Sequence, residues 1–298
     1  MKWTRRDVIK GLGGLPIAGA IWWAGAASSV QSNKERNKLL EQLNIEPSLP
    51  KILPPVVGAP IKIGIIGFGI RGEQLCRSLG FATTSWLDNM QKAAVENPNH
   101  TALADFNNQD KLNVSLVAVC DVFDVRAQTV IDSFSTQEQP VKRFTTYKEM
   151  IRSGEVEAII IATPDHWHAP MAIEALEHNV HVYIEKPMTH TIEETYRLRE
   201  AAQNSKARLM VGHQHRQTLS FQTAKDVINK NTLGHVSMIQ TNTNRNDDNG
   251  AWNYDIDKKA NEQTIDWEQF LGSAPKIPFN KNHFFRWRKW WAYGSGLS

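Results

Sequence analysis

Six residues, Gly67-Phe68-Gly69-Ile70-Arg71-Gly72, constrain this chain most. They follow the apolar run Ile61-Lys62-Ile63-Gly64-Ile65-Ile66, which reads as a buried strand. A helical stretch from Arg71 to Leu79 comes next. Within such a strand-turn-helix each glycine has its own reason. Gly67 permits the tight turn, Gly69 lets backbone approach a diphosphate, and Gly72 lets the helix pack close to the strand. The helix start then offers N–H groups and the positive end of its dipole to an anion. The pattern predicts a dinucleotide site built from Gly67, Phe68, Gly69, Ile70, Arg71 and Gly72.

The stretch that follows repeats the alternation. Strands are expected at Val114–Cys120, Val156–Ala162, Val180–Ile184 and Leu209–Gly212, without the period-two pattern of a half-exposed sheet. Helices are expected at Tyr147–Arg152, Ala169–His178 and from the Thr191-Ile192-Glu193-Glu194 capping box to about Asn204. Alternating strands and helices imply an α/β fold, a Rossmann doubly wound parallel sheet buried on both faces. Residues 81–112 read as an insertion, with loop signals at Asn97-Pro98-Asn99 and Asn107-Asn108. After Gly212 the pattern changes to a helix at Phe221–Asn229, an exposed strand at His235–Thr243 and a Trp-rich remainder. The expected domains are 61–212 for the Rossmann part and 213–298 for a second, partial α+β part.

An acid at the end of the second strand would bind the adenosine ribose, and Asp121 has that position. It favours NAD, because a carboxylate repels a 2′-phosphate; Arg126, close by, leaves NADP open. Cys76 and Cys120 read as buried small hydrophobes rather than a bridge. No Cys/His cluster has zinc spacing, so no metal is expected.

Charge excludes one partner class. The formal net charge is +3, and the first ten residues carry all of it through Lys2, Arg5, Arg6 and Lys10 against Asp7. The body has no basic excess to attract nucleic acid. The opening Thr4-Arg5-Arg6-Asp7-Val8-Ile9-Lys10, with the apolar run Gly11–Ala24 behind it, resembles a twin-arginine export signal. The signal is expected over 1–26, with a small-x-small cleavage site at Ala24-Gly25-Ala26, and a linker over 27–60. The resemblance implies passage through the twin-arginine translocase to the periplasm. An uncleaved anchor is the other reading, since Trp22 and Trp23 suit a membrane interface.

The most informative stretch runs from Ile161-Ala162-Thr163-Pro164-Asp165-His166-Trp167-His168 to His181-Val182-Tyr183-Ile184-Glu185-Lys186-Pro187. Here the chain resembles the family of glucose–fructose oxidoreductase and inositol dehydrogenase (Gfo/Idh/MocA). The glycine turn, the T-P-x-x-x-H segment, the E-K-P signature and Val211-Gly212-His213-Gln214-His215-Arg216 carry the likeness over about 61–212 and just beyond. The resemblance implies hydride transfer between a nicotinamide cofactor and a sugar, glycoside or polyol carbon. It casts Lys186 as the catalytic group at the reacting hydroxyl, stabilising charge on oxygen and relaying its proton. It places Thr163, Pro164, His168 and Glu185 on the cofactor side, and His213, His215 and Arg216 at the substrate. Asp165 suits a helix cap as well as a ligand contact. Trp252, Trp287, Trp290 and Trp291 suit a core as well as sugar faces.

In that family a second-domain Asp and His follow a segment similar to Trp290–Ser298. None follows here, which implies a C-terminally truncated chain. Family members are often oligomers, which leaves a homo-oligomer open. Two other functions stay in view. One is an NAD-dependent glycoside hydrolase working by transient oxidation and elimination, although those relatives resemble E-V-P where this chain has E-K-P. The other is a non-catalytic dinucleotide-binding protein.

Overall fold

A computed structural model describes residues 58–296 except 215, 217, 232, 243–247 and 249. The export segment, most of the linker and His215 lie outside the described residues.

Six strands form one all-parallel sheet: β1 (Ile61–Ile66), β2 (Val114–Cys120), β3 (Lys142–Arg143), β4 (Ala158–Ile161), β5 (His181–Glu185) and β6 (Leu209–Gly212). Their order is β3-β2-β1-β4-β5-β6. The order reverses between β1 and β4, which lie in register with Ile66 opposite Ile161. That reversal opens a crevice at the carboxyl edge. The five strands expected up to Gly212 are all present; that expected at Val156–Ala162 is trimmed to Ala158–Ile161, and that expected at Val180–Ile184 is shifted by one residue.

Unbroken aliphatic runs are legible as strands because the sheet is covered twice. Ile159, Ile161, Val182 and Ile184 pack with Met150, Ala172, Leu176 and Leu198 in one buried cluster. Ile63, Ile65, Leu116, Val119 and Ile160 pack with Leu75, Cys76, Ala127 and Val130 in another. Neighbouring residues of one strand thus face opposite cores. The crossover helices are α1 (Ile70–Ser78), α2 (Thr84–Glu96), α3 (Ala102–Asn108), α4 (Asp124–Phe134), α5 (Tyr147–Arg152), α6 (His168–Glu177) and α7 (Ile192–Asn204). The Thr191 capping box forms as expected, its hydroxyl accepting from the Glu194 N–H. The residues read as an insertion hold α2 and α3, which meet where Trp86 sets its edge against Phe106. Cys76 and Cys120 are buried thiols whose pKa burial pushes up to about 12.

Two compact units emerge. The larger joins the sheet to residues 243–298, so the Trp-rich segment groups with the Rossmann part rather than with the rest of the expected second domain. Helices α9 (Trp267–Leu271) and α10 (Lys281–Phe285) help build a third core of Phe123, Ile265, Phe270, Leu271, Phe284, Phe285 and Tyr293. A single antiparallel bridge, Phe123 with Ile265, ties it to the chain just after β2.

The smaller unit contains 214–242, with α8 (Leu219–Asn229) as its described helix. The strand expected over His235–Thr243 does not form in 236–242. A strand needs a hydrogen-bonding neighbour, and the described residues of this unit include no other strand.

Candidate functional site

The glycine turn follows β1, and its geometry separates the three glycines. Gly67 has φ +85° and its N–H donates to the Cys120 carbonyl at 2.9 Å. A Cβ there would press on the Ala162 carbonyl oxygen at 2.9 Å. A Cβ on Gly72 would overlap the Gly67 carbonyl oxygen. Both are glycine because the strand-helix junction leaves no room. Gly69 differs: the nearest atom to a Cβ would be Arg126 Nη1 at 3.5 Å, an ordinary contact. The folded chain alone does not demand glycine there. Gly69 also carries no side chain to cap the first N–H groups of α1. Uncapped helix donors, with only the far end of the Arg126 side chain near Gly69, fit the diphosphate of a dinucleotide.

Phe68 and Arg71 take positions that the motif alone does not reveal. The Phe68 ring is buried edge-on against Phe134. Its N–H donates to Asp121 Oδ2 at 2.6 Å, and the Phe123 N–H donates to Oδ1 at 2.8 Å. Asp121, 6% exposed, thus latches the glycine turn to the end of β2. Burial raises its pKa, opposed chiefly by the Arg126 charge and by these two amides. Ile70 is exposed on the first turn of α1. Arg71 reaches across to β5, its Nε donating to Glu185 Oε1 at 2.8 Å and Nη1 to Gln74 Oε1 at 3.2 Å.

Glu185 is buried at the carboxyl end of β5. The Tyr183 hydroxyl lies beside Arg71 and Glu185, and burial is the main cause of its raised pKa. Gly212, at the end of β6, makes room for this cluster: a Cβ would overlap the Tyr183 hydroxyl and lie 2.9 Å from Glu185 Oε1. The Lys186 N–H donates back to Glu185 Oε2 at 3.3 Å. Lys186 is half-buried and joined to Pro187 by a cis peptide.

His168 begins α6 and is 1% exposed. Its Nδ1 faces the Pro187 carbonyl at 2.6 Å and its Nε2 faces the Thr163 carbonyl at 2.9 Å. One ring therefore spans the loops after β4 and β5, with both nitrogens on protein carbonyls. Burial, the largest influence, lowers its pKa against the pull of those carbonyls and of Asp165. Thr163 and Pro164 form the turn into the 3-10 segment Asp165–Trp167. Asp165 Oδ2 accepts from the Ser295 N–H at 2.8 Å, so it holds down the C-terminal segment instead of capping α6 with its side chain. His166, which the motif did not single out, bonds the Phe270 carbonyl through Nε2 at 2.9 Å. Its Nδ1 is buried without a partner, and burial lowers its pKa.

His213 is exposed and follows β6 directly. Arg216 is exposed in the smaller unit. Among the tryptophans, Trp252, Trp287 and Trp290 are partly buried, whereas Trp291 is 79% exposed. The sheet thus brings Gly67, Asp121, Thr163, Glu185, Lys186 and His213 to its carboxyl edge, where such folds bind ligands.

Similarity to known proteins follows the same stretch. The inositol 2-dehydrogenase of Salmonella typhimurium (strain LT2) is 32% identical over 127 residues, covering 42% of this chain and 37% of that protein. Glycosyl hydrolase family 109 protein 1 of Shewanella sp. (strain MR-4) is 23% identical over 206 residues, covering 66% of this chain and 38% of that protein. The crystal structure of myo-inositol dehydrogenase from Lactobacillus casei in complex with NAD(H) and myo-inositol superposes with a TM-score of 0.45 at 18% identity. That match covers 59% of this chain and 43% of the other. The chain therefore spans about two fifths of the length of the relatives it matches. The model of the Gfo/Idh/MocA oxidoreductase family, with its NAD-binding Rossmann fold, matches residues 61–213, and the chain belongs to that family.

Proposed function

We propose that the chain is the cofactor-bearing part of an NAD-dependent oxidoreductase that moves a hydride at a sugar, glycoside or polyol carbon. The observation that carries this reading is the Arg71–Glu185 pair. It ties the diphosphate turn to the residue before Lys186, so one part-buried contact links the cofactor cradle to the candidate catalytic lysine.

Bound NAD would supply the hydride acceptor at its nicotinamide ring. The chain's own residues supply the remainder. The uncapped N–H groups of α1 bind the diphosphate, and Asp121 accepts from the adenosine ribose. The His168 ring lies between the Thr163 and Pro187 carbonyls and, donating to one of them as a neutral ring, lines the wall of the crevice. As the hydride leaves the substrate carbon for the cofactor, the hydroxyl proton would pass to Lys186 as the neutral amine, and the ammonium so formed would donate a hydrogen bond to the new carbonyl oxygen. By the family likeness His213, which follows β6, is assigned to the substrate side.

The Shewanella relative supports a second reading, in which the same site oxidises a glycoside transiently, eliminates the aglycone and re-reduces the sugar. Lys186 favours the dehydrogenase. The N-terminal Arg5-Arg6 motif supports export through the twin-arginine route, which carries folded proteins and so allows cofactor loading beforehand.

Native mass spectrometry of the full chain, with titration of NAD and NADP, tests the cofactor. Retention or binding of either is expected; neither retained nor bound would overturn the proposal. A panel of polyols, sugars and glycosides then separates the two readings. Net reduction of added NAD marks the dehydrogenase, and aglycone release without net reduction marks the hydrolase.

A further inference from the structure

The glycine turn presents an anion site, yet its own guanidinium is turned away: Arg71 is engaged with Glu185 and Gln74. A second guanidinium reaches the turn from another element. The three atoms nearest to a Cβ on Gly69 all belong to Arg126, at 3.5, 3.7 and 4.0 Å. Arg126 stands in the first turn of α4, and its charge is the strongest opposing the burial of Asp121. It is therefore placed between the ribose acid and the glycine that admits the diphosphate.

Its backing is equally specific. The guanidinium carbon lies 5.7, 5.4 and 5.5 Å from the ring centres of Phe123, Phe284 and Phe285. Rings at these distances attract a cation and limit its rotamers. Phe284 and Phe285 come from α10 in the C-terminal segment, not from the Rossmann strands and helices.

From this arrangement we propose that Arg126 is a phosphate-binding residue of the cofactor site, meeting the dinucleotide diphosphate at Gly69, with Phe284 and Phe285 as its positioning residues. The proposal rests on the NAD reading above. It makes the C-terminal segment part of the cofactor site through an aromatic plate that the glycine motif does not contain. A planar guanidinium suits phosphate oxygens because it donates two parallel hydrogen bonds.

The test is a set of binding titrations on the full chain, read by tryptophan fluorescence, with NAD, NADP and adenosine as probes. Arg126→Gln is expected to weaken NAD and NADP alike by about tenfold or more, the scale of a charge-assisted hydrogen bond, and to leave adenosine within about twofold. The slope of log Kd against log salt for NAD is expected to flatten in the variant. Phe285→Leu, which keeps the charge but thins the plate, is expected to weaken NAD less than Arg126→Gln does. Arg126→Lys covers a Gln variant that fails to fold: it keeps the charge, loses the parallel donors, and is expected to fall between wild type and Gln. Loss confined to NADP would assign Arg126 to the 2′-phosphate and overturn the proposal. So would equal loss for adenosine, or unchanged NAD affinity in both Arg126 variants. A wild-type chain that binds no NAD overturns the cofactor reading itself, an outcome distinct from wild-type binding with indifferent Arg126 variants.

Discussion

Arg71 Nε and Glu185 Oε1 lie 2.8 Å apart although 114 positions separate them, and the carboxylate is buried while the guanidinium is about one-third exposed. Removing Arg71 strands a buried acid. Arg71→Leu is expected to cost about 1–3 kcal/mol, below the full value for a wholly buried pair because solvent reaches the arginine. Urea unfolding measures this. Glu185→Gln, which keeps the shape and an acceptor, should cost less, and equal costs would mean the pair's charge is immaterial.

Gly69 and Gly72 should fail differently when replaced. Gly72→Ala forces a methyl onto the Gly67 carbonyl and is expected to destabilise the fold by about 1–3 kcal/mol or more. Gly69→Ala meets nothing closer than 3.5 Å, so its unfolding midpoint should stay near wild type. Its methyl would stand where the diphosphate approaches, so NAD affinity should fall by about tenfold or more. Thermal melts with and without NAD separate the two: only Gly72→Ala should melt early without ligand.

Lys186→Ala is expected to abolish turnover while NAD binding stays within about threefold. Lys186→Arg keeps charge but not the compact ammonium and should recover little activity. Steady-state kinetics beside a binding titration decides it, and undiminished turnover in the alanine variant would remove Lys186 from the chemistry.

Acid should loosen the fold near neutrality. Burial lowers the pKa of His166, His168 and His283 from their ordinary value near 6.5. The unfolded chain then holds more protons below that value, so the stability these groups confer as neutral rings is present above about 6.5 and lost as pH falls. The two buried rings, His166 and His168, can each contribute a slope of up to about 1.4 kcal/mol per pH unit, and the more exposed His283 less. Unfolding midpoints should hold nearly level from pH 7.5 to about 6.5 and fall below it. His166→Gln should flatten the curve, and an unchanged slope would acquit that ring.

The sheet was legible because its strands are covered on both faces, so Ile159, Ile160 and Ile161 could all be aliphatic. β3 escaped notice because two exposed residues, Lys142 and Arg143, carry no hydrophobic signal. Helix α4 leaves only a short apolar signal, since Ala127 and Val130 alone make up its buried face. At the site, the motif identified Glu185 and Lys186 but not what holds them. Tyr183 read only as a strand residue, and its hydroxyl contact with Arg71 and Glu185 is a tertiary event. Asp165, whose position suits a helix cap, accepts from the Ser295 amide instead. Long-range partners of this kind leave no spacing in the sequence. The pairing of Arg126 with Phe284 and Phe285 was invisible for the same reason.

The Asp165–Ser295 hydrogen bond spans 130 positions and sets a schedule for the newborn chain. At roughly 5–20 residues per second, the ribosome needs between about 7 and 26 seconds to travel from one partner to the other. Throughout that interval the sheet can assemble, but the loop after β4 keeps its acid waiting at the mouth of the crevice. Maturation of this contact is thus timed by the arrival of Ser295, well after the dinucleotide turn has been made.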